Sequence, residues 1–194
     1  RSPGDRQLSA VYAGDSNFTN SRSSPVTHHV TSPPTADAHG PYTGDEGAAI
    51  DFTGSGTDLP GEALSYRWAF GDGATSMMQN PSHTYADSGG YVGTLTVSDD
   101  WGASATSTFT VTVANVAPAV TAPPNQAASE GVARPFDLGA FADPGADSPW
   151  AVGVDWGDGS AHTAFNAPAA GPLGTQSHAY AGGGTYTVTV RVTD

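Results

Sequence analysis

The chain has 194 residues, no Cys and a formal net charge of −13, from 19 acidic residues against 6 basic ones, all of them Arg. Six scattered arginines cannot form a groove that neutralises phosphates, which excludes nucleic acid as a partner. The missing Cys excludes a disulfide framework, a thiolate zinc site and a thiol nucleophile, and no run of about 18 apolar residues is present to insert into a membrane.

With 25 Gly and 15 Pro and no helical period sustained over three turns, the sequence reads as all-β, built of short strands and tight turns. The charge suits a protein kept in solution outside a cell. Absence of Lys also rules out Lys–Asn isopeptide crosslinks.

Near the start stands Tyr12-Ala13-Gly14-Asp15-Ser16-Asn17-Phe18. An alternating segment at 23–30 follows. It places Val26 and Val30 on one face and sends the adjacent His28 and His29 to opposite faces, where they cannot jointly ligate a metal. Pro33-Pro34 then marks a junction.

Beyond it, two copies of one pattern follow each other. The first has Glu46-Gly47 ahead of Ile50 and Phe52, then Trp68-Ala69-Phe70-Gly71-Asp72-Gly73, His83-Thr84-Tyr85, and Tyr91 opening a strand that ends at Asp99. The second has Glu130-Gly131 ahead of Phe136 and Leu138, then Val154-Asp155-Trp156-Gly157-Asp158-Gly159, His178-Ala179-Tyr180, and Tyr186 opening a strand that ends at Asp194. Only the stretch between Gly-Asp-Gly and His differs in length, as a surface loop tolerates. Apart from the Tyr, no residue recurs at a fixed offset from the His. His83 and His178 therefore read as braces of a strand, and no catalytic residue is assigned. The glycines flanking Asp72 and Asp158 read as turn formers.

Alternation is strict at 185–193, where Tyr186, Val188, Val190 and Val192 are apolar and the residues between them polar. It recurs at 91–97 and at 106–113, with Asp99-Asp100-Trp101-Gly102 as the hairpin joining those two strands. This division sets 1–32 apart and predicts one sandwich at 33–115 and a second at 116–194 that lacks the counterpart of strand 106–113.

Both copies resemble the PKD (polycystic kidney disease) family of extracellular β-sandwich modules. The aromatic-x-aromatic-Gly-Asp-Gly hairpin, Asn80-Pro81-Ser82-His83-Thr84-Tyr85, Gly90-Tyr91 and Thr96-Val97-Ser98-Asp99 carry the resemblance in the first. The second keeps most of this, without the Asn-Pro. Residues 1–32 resemble the closing strands of a bacterial immunoglobulin-like repeat. The expected fold is thus tandem immunoglobulin-like PKD β-sandwiches. The implied role is a non-catalytic structural or adhesive spacer of a large secreted or cell-surface protein. Alternatives are a substrate-binding accessory module of a secreted hydrolase, or a filament subunit completed by donor strands, with Val26 and Val30 as donor residues. Expected partners are other modules of the same protein, neighbouring copies, and carbohydrate or an extracellular protein.

Calcium is the one cofactor the sequence suggests. Some PKD modules carry a calcium-holding acidic segment ahead of the aromatic strand. Here that segment keeps Asp58 and Glu62 in the first copy, with Pro60 in place of a middle Asp, and Asp143 and Asp147 in the second. Two carboxylates supply few of the six to eight oxygens calcium takes. Trp101, Trp150, Tyr42 and Phe165 are the aromatics that could contact sugar, but they share no spacing; packing is the expected role.

Overall fold

A computed structural model describes residues 4–194. In chain order its strands are β1 (Gly4–Leu8), β2 (Val11–Tyr12), β3 (Ser21–Arg22), β4 (Val26–Val30), β5 (Tyr42–Asp45), β6 (Ala49–Asp51) and β7 (Ser65–Ala69). There follow β8 (Thr75–Ser76), β9 (Ser82–Thr84), β10 (Gly89–Ser98), β11 (Ser104–Ala114), β12 (Ala119–Thr121) and β13 (Arg134–Asp137). The last are β14 (Ala140–Ala142), β15 (Trp150–Asp155), β16 (Thr163–Ala167), β17 (Gly171–Pro172), β18 (Thr175–His178) and β19 (Thr189–Thr193). Among the described residues no helix is long and apolar enough to cross a membrane.

The strands gather into two compact units. One holds the residues up to Tyr42 with Asp51–Ser82 and Tyr91–Val111; the other holds Thr43–Ile50, His83–Gly90 and Thr112–Asp194.

In the first unit β10 pairs antiparallel with β7, placing Leu95 opposite Trp68 and Val97 opposite Tyr66. The alternation read from the sequence sends Leu95 and Val97 inward, and both are fully buried. Trp68, Phe70, Phe52 and Phe109 complete a core of interlocking rings, with Phe52 5.1–5.7 Å from the other three. Each such side chain contributes roughly 1.5–3 kcal/mol through burial. β1 pairs with β4, and β2 with β3. In the β2–β3 turn, Asp15 accepts from the amides of Asn17 and Phe18 and from the Tyr12 hydroxyl. Those hydrogen bonds hold the Asp15 carboxyl below its ordinary range. Val26 and Val30, the expected donor residues, lie in β4 and are 58% and 38% exposed.

The second unit repeats the register. β19 pairs with β15, placing Val190 opposite Val154 and Val192 opposite Val152, the same offsets that join β10 to β7. Buried Phe136, Leu138, Phe141, Trp150, Trp156 and Tyr180 form its core with these valines. The predicted strand over 185–193 is only half realised, because the ladder stops at Asp155↔Thr189. β10 runs ten residues between β7 and β11, whereas among the described residues β19 pairs only with β15. Residues 185–188 are held instead by side chains. The Tyr186 ring stacks on Tyr180 at 4.3 Å, and its hydroxyl donates to the Gly182 carbonyl at 2.8 Å.

Candidate metal centres

Two clusters of carboxylates stand out among the described residues, and each includes an expected pair. Asp58 and Glu62 meet Asp99 in the first unit. Asp143 and Asp147 meet Glu46 in the second. Within each cluster one oxygen from every acid lies within 4.8 Å of the others, a spread that a single ion about 2.4 Å from each oxygen can span.

In the first cluster most oxygens already have donors. Asp99, at the end of β10, accepts from the amides of Trp101 and Ala103 at 2.9 and 2.8 Å and from Thr31 Oγ1 at 2.9 Å. Burial pushes its carboxyl up, but the bonds from Thr31 and from the Ala103, Trp101 and Gly102 amides prevail and hold it below its ordinary range. Glu62 Oε1 lies 2.8 Å from His29 Nε2, while His29 Nδ1 lies 2.9 Å from Asp5. The hydrogen bonds to Asp5 and then to Glu62 raise the His29 pKa. Trp101 stacks on it at 4.3 Å. Asp58 Oδ1 accepts from the Leu59 amide, and its Oδ2 is buried with no partner.

The second cluster is less satisfied. Asp143, after β14, accepts from the Gly145 amide at 2.8 Å and from Trp150 Nε1 at 2.9 Å. Glu46, in the turn between β5 and β6, is 1% exposed. Its Oε1 accepts from the Val116 amide at 2.8 Å. Glu46 Oε2 and Asp147 Oδ2 are both buried without a hydrogen-bond partner. Burial, followed by the charges of Glu46, Asp143, Asp87 and Asp194, pushes the Asp147 carboxyl up. An unpaired buried oxygen costs about 1–3 kcal/mol. The donors are all hard carboxylate oxygens, which fit calcium.

Glu46 and Asp99 were both visible in the sequence, as members of the repeat (Glu46/Glu130, Asp99/Asp194), but not as ligands. Spacing within one loop finds only the two acids that loop carries.

The repeated His has a partner the sequence reading missed. His178 Nε2 lies 2.8 Å from Asp158 Oδ2, with both side chains nearly buried. The ring stacks on Trp156 at 4.4 Å and meets the edge of Tyr180 at 4.6 Å. Hydrogen bonds from Ser160, and then from His178, lower the Asp158 pKa to about 2. Asp158 is therefore more than a turn residue; it anchors the His. The different loop lengths before His83 and His178 hide any fixed offset. His83 likewise meets the edge of Tyr85 at 4.7 Å.

The four aromatics form no common platform within either unit. Trp150 is 5% exposed and packs on Phe141, Phe165 packs against the second core, and Tyr42 packs on Phe52 and Phe109. Trp101 is exposed and stacked on His29.

Comparison with known proteins places these features in a family. The PKD domain profile matches residues 31–113 and again 115–194. A collagenase of Bacillus cereus, ColQ1, is 44% identical over 81 residues, covering 41% of this chain and 8% of the relative. A microbial collagenase of Vibrio alginolyticus is 41% identical over 71 residues, covering 36% of this chain and 9% of the relative. The chain thus spans less than a tenth of the length of these relatives. The crystal structure of the PKD1 domain of Vibrio anguillarum Epp is 35% identical, with a TM-score of 0.38, and covers 43% of this chain and 95% of that one. With the profile matching 31–113 and, separately, 115–194, the chain belongs to the PKD domain family and carries two copies in tandem.

Proposed function

We propose that the chain is a non-catalytic spacer segment of a larger extracellular protein, placing other domains of that protein at a distance. The proposal takes 33–115 and 116–194 as the two modules and 1–32 as the closing strands of a preceding immunoglobulin-like module. One observation carries it: the residues the two copies share are spent on packing, with Trp68, Phe70, Tyr85, Trp156 and Tyr180 all buried. The similarity to collagenases of Bacillus cereus and Vibrio alginolyticus favours a secreted protease as the larger protein. Asp58 with Glu62, and Asp143 with Asp147, are proposed as calcium sites that stiffen the modules.

The spacer reading is tested by incubating the purified chain with gelatin and with insoluble collagen, cellulose and chitin. The expected result is no cleavage and no retention on any solid. Micromolar binding to one of them would overturn it in favour of a substrate-binding module, and turnover would overturn the non-catalytic reading.

A second reading, a filament joined by donated strands, is favoured by a groove of about 850 Å³ beside residues 185–190, lined by Leu138, Tyr180 and Val190. An extended strand with alternating apolar residues fits such a surface. A single monomeric species by light scattering across a hundredfold range of concentration, about 1–100 μM, would rule it out.

A further inference from the structure

We propose that Glu46 is a direct ligand of a calcium-class cation held with Asp143 and Asp147, so that the site draws its ligands from both family-matched segments. The inference rests on the reading of 143–147 as a calcium loop and adds a ligand that the loop does not contain.

Four observations support it. Glu46 is 1% exposed, too deep for a solvated surface acid. Its Oε2 has no partner, and neither does Asp147 Oδ2, although both are buried. The two residues and Asp143 present oxygens within 4.8 Å of one another. The space among them is kept open by a glycine: a methyl on Gly145 would collide with Asp147 Oδ2 and stand 2.6 Å from Glu46 Cδ.

The remaining oxygens are positioned by the fold. The Val116 amide holds Glu46 Oε1, and the Gly145 amide and Trp150 indole hold Asp143. In the first cluster His29 lies within hydrogen-bond reach of Glu62. Among the described residues, no salt bridge reaches Glu46, Asp143 or Asp147. A buried group of acids without positive charge is stabilised by a metal ion or by protonation. Of the two, only a metal site gives a lanthanide signal that calcium displaces. Magnesium keeps most of its water shell and suits such a dehydrated, all-carboxylate setting poorly.

Trp150 provides the readout. Its indole bonds a proposed ligand, Asp143, so it can sensitise terbium luminescence at this site. Trp101, stacked on His29 near the first cluster, is replaced by Phe so that its signal does not interfere. The chelated chain is titrated with terbium, then back-titrated with calcium. The expected result is a Trp150-sensitised signal that calcium displaces, weakened about tenfold or more by Glu46→Gln and by Asp147→Asn and unchanged by Glu130→Gln, an exposed acid outside both clusters. Glu46→Gln should also raise the melting temperature of the metal-free chain while shrinking its rise on adding calcium. A merely structural Glu46 would lower the first.

If Asp143→Asn and Asp147→Asn abolish the signal but Glu46→Gln does not, the loop reading stands and the role of Glu46 is refuted. If the parent chain gives no displaceable signal up to about 10 mM calcium, beyond the range of extracellular calcium modules, both fall. Should Glu46→Gln fail to fold, Gly145→Ala serves in its place. It keeps all three acids and fills the space between them, and unchanged affinity in that variant would overturn the proposal.

Discussion

The hairpin glycines allow a sharp test of whether the repeated residues are architectural. Gly71 and Gly73 flank Asp72, and both have positive φ, +93° and +99°. Their surroundings differ. A methyl on Gly71 would stand 2.5 Å from the Val92 carbonyl oxygen, whereas one on Gly73 would meet nothing within 4 Å. Alanine at either position carries the backbone strain of positive φ, about 1–2 kcal/mol. At Gly71 it adds a collision with main chain that cannot rotate away, about 1–3 kcal/mol by analogy with overpacked cores. The difference between the two variants isolates that collision. At about 2 kcal/mol it corresponds to roughly 4–8 °C in melting temperature for a chain of this size. Differential scanning calorimetry of Gly71→Ala and Gly73→Ala should show the former melting lower by that margin. The second copy repeats the experiment: Gly157 abuts the Thr187 carbonyl, and Gly159 has open space. Equal melting temperatures within either pair would refute the claim that the first glycine of Gly-Asp-Gly is there for close approach to the neighbouring main chain.

Three further outcomes are expected. Leu138→Ala, at a fully buried site, should cost about 3 kcal/mol in urea denaturation, while Val188→Ala, outside the ladder and 38% exposed, should cost less than about 1 kcal/mol; similar losses would contradict the half-formed strand. Because the Asp158 pKa is depressed to about 2 in the fold, its contribution is fully present above the unfolded value near 3.8 and is lost as pH falls toward 2. Asp158→Asn should therefore flatten the acid limb of the stability curve between about pH 4 and 2, and an unchanged limb would rule out that contribution. Asp15→Ala removes the acceptor of two turn amides and of the Tyr12 hydroxyl; hydrogen exchange at residues 15–18 should accelerate while the β7 and β10 amides stay protected.

The sandwich modules were legible because their chemistry is local. Alternation over 91–97 and 106–113 and the Gly-Asp-Gly turns are short-range signals, and β10 and β11 lie where they predict. Residues 185–188 show the limit of that signal. Their pattern is as regular as that of β10, but a strand is defined by its neighbours, and among the described residues the ladder with β15 stops at Thr189. The acid clusters were half legible for a related reason. Asp58 with Glu62, and Asp143 with Asp147, share a loop, whereas Asp99 and Glu46 arrive from a strand end and a turn far along the chain. The Asp158–His178 pair was hidden by the loop between them. It is longer than its counterpart in the first copy, and fixed spacing was the only evidence a sequence could offer.

The stacking of Tyr186 on Tyr180 has a dynamic consequence. A segment tethered through its rings rather than its backbone keeps its course while its peptide groups remain open to solvent. Deuterium should therefore enter residues 185–188 within the first exchange time points, while residues 189–193 resist until the second unit opens as a whole. Nuclear relaxation along the same stretch should show both halves equally rigid on the nanosecond scale.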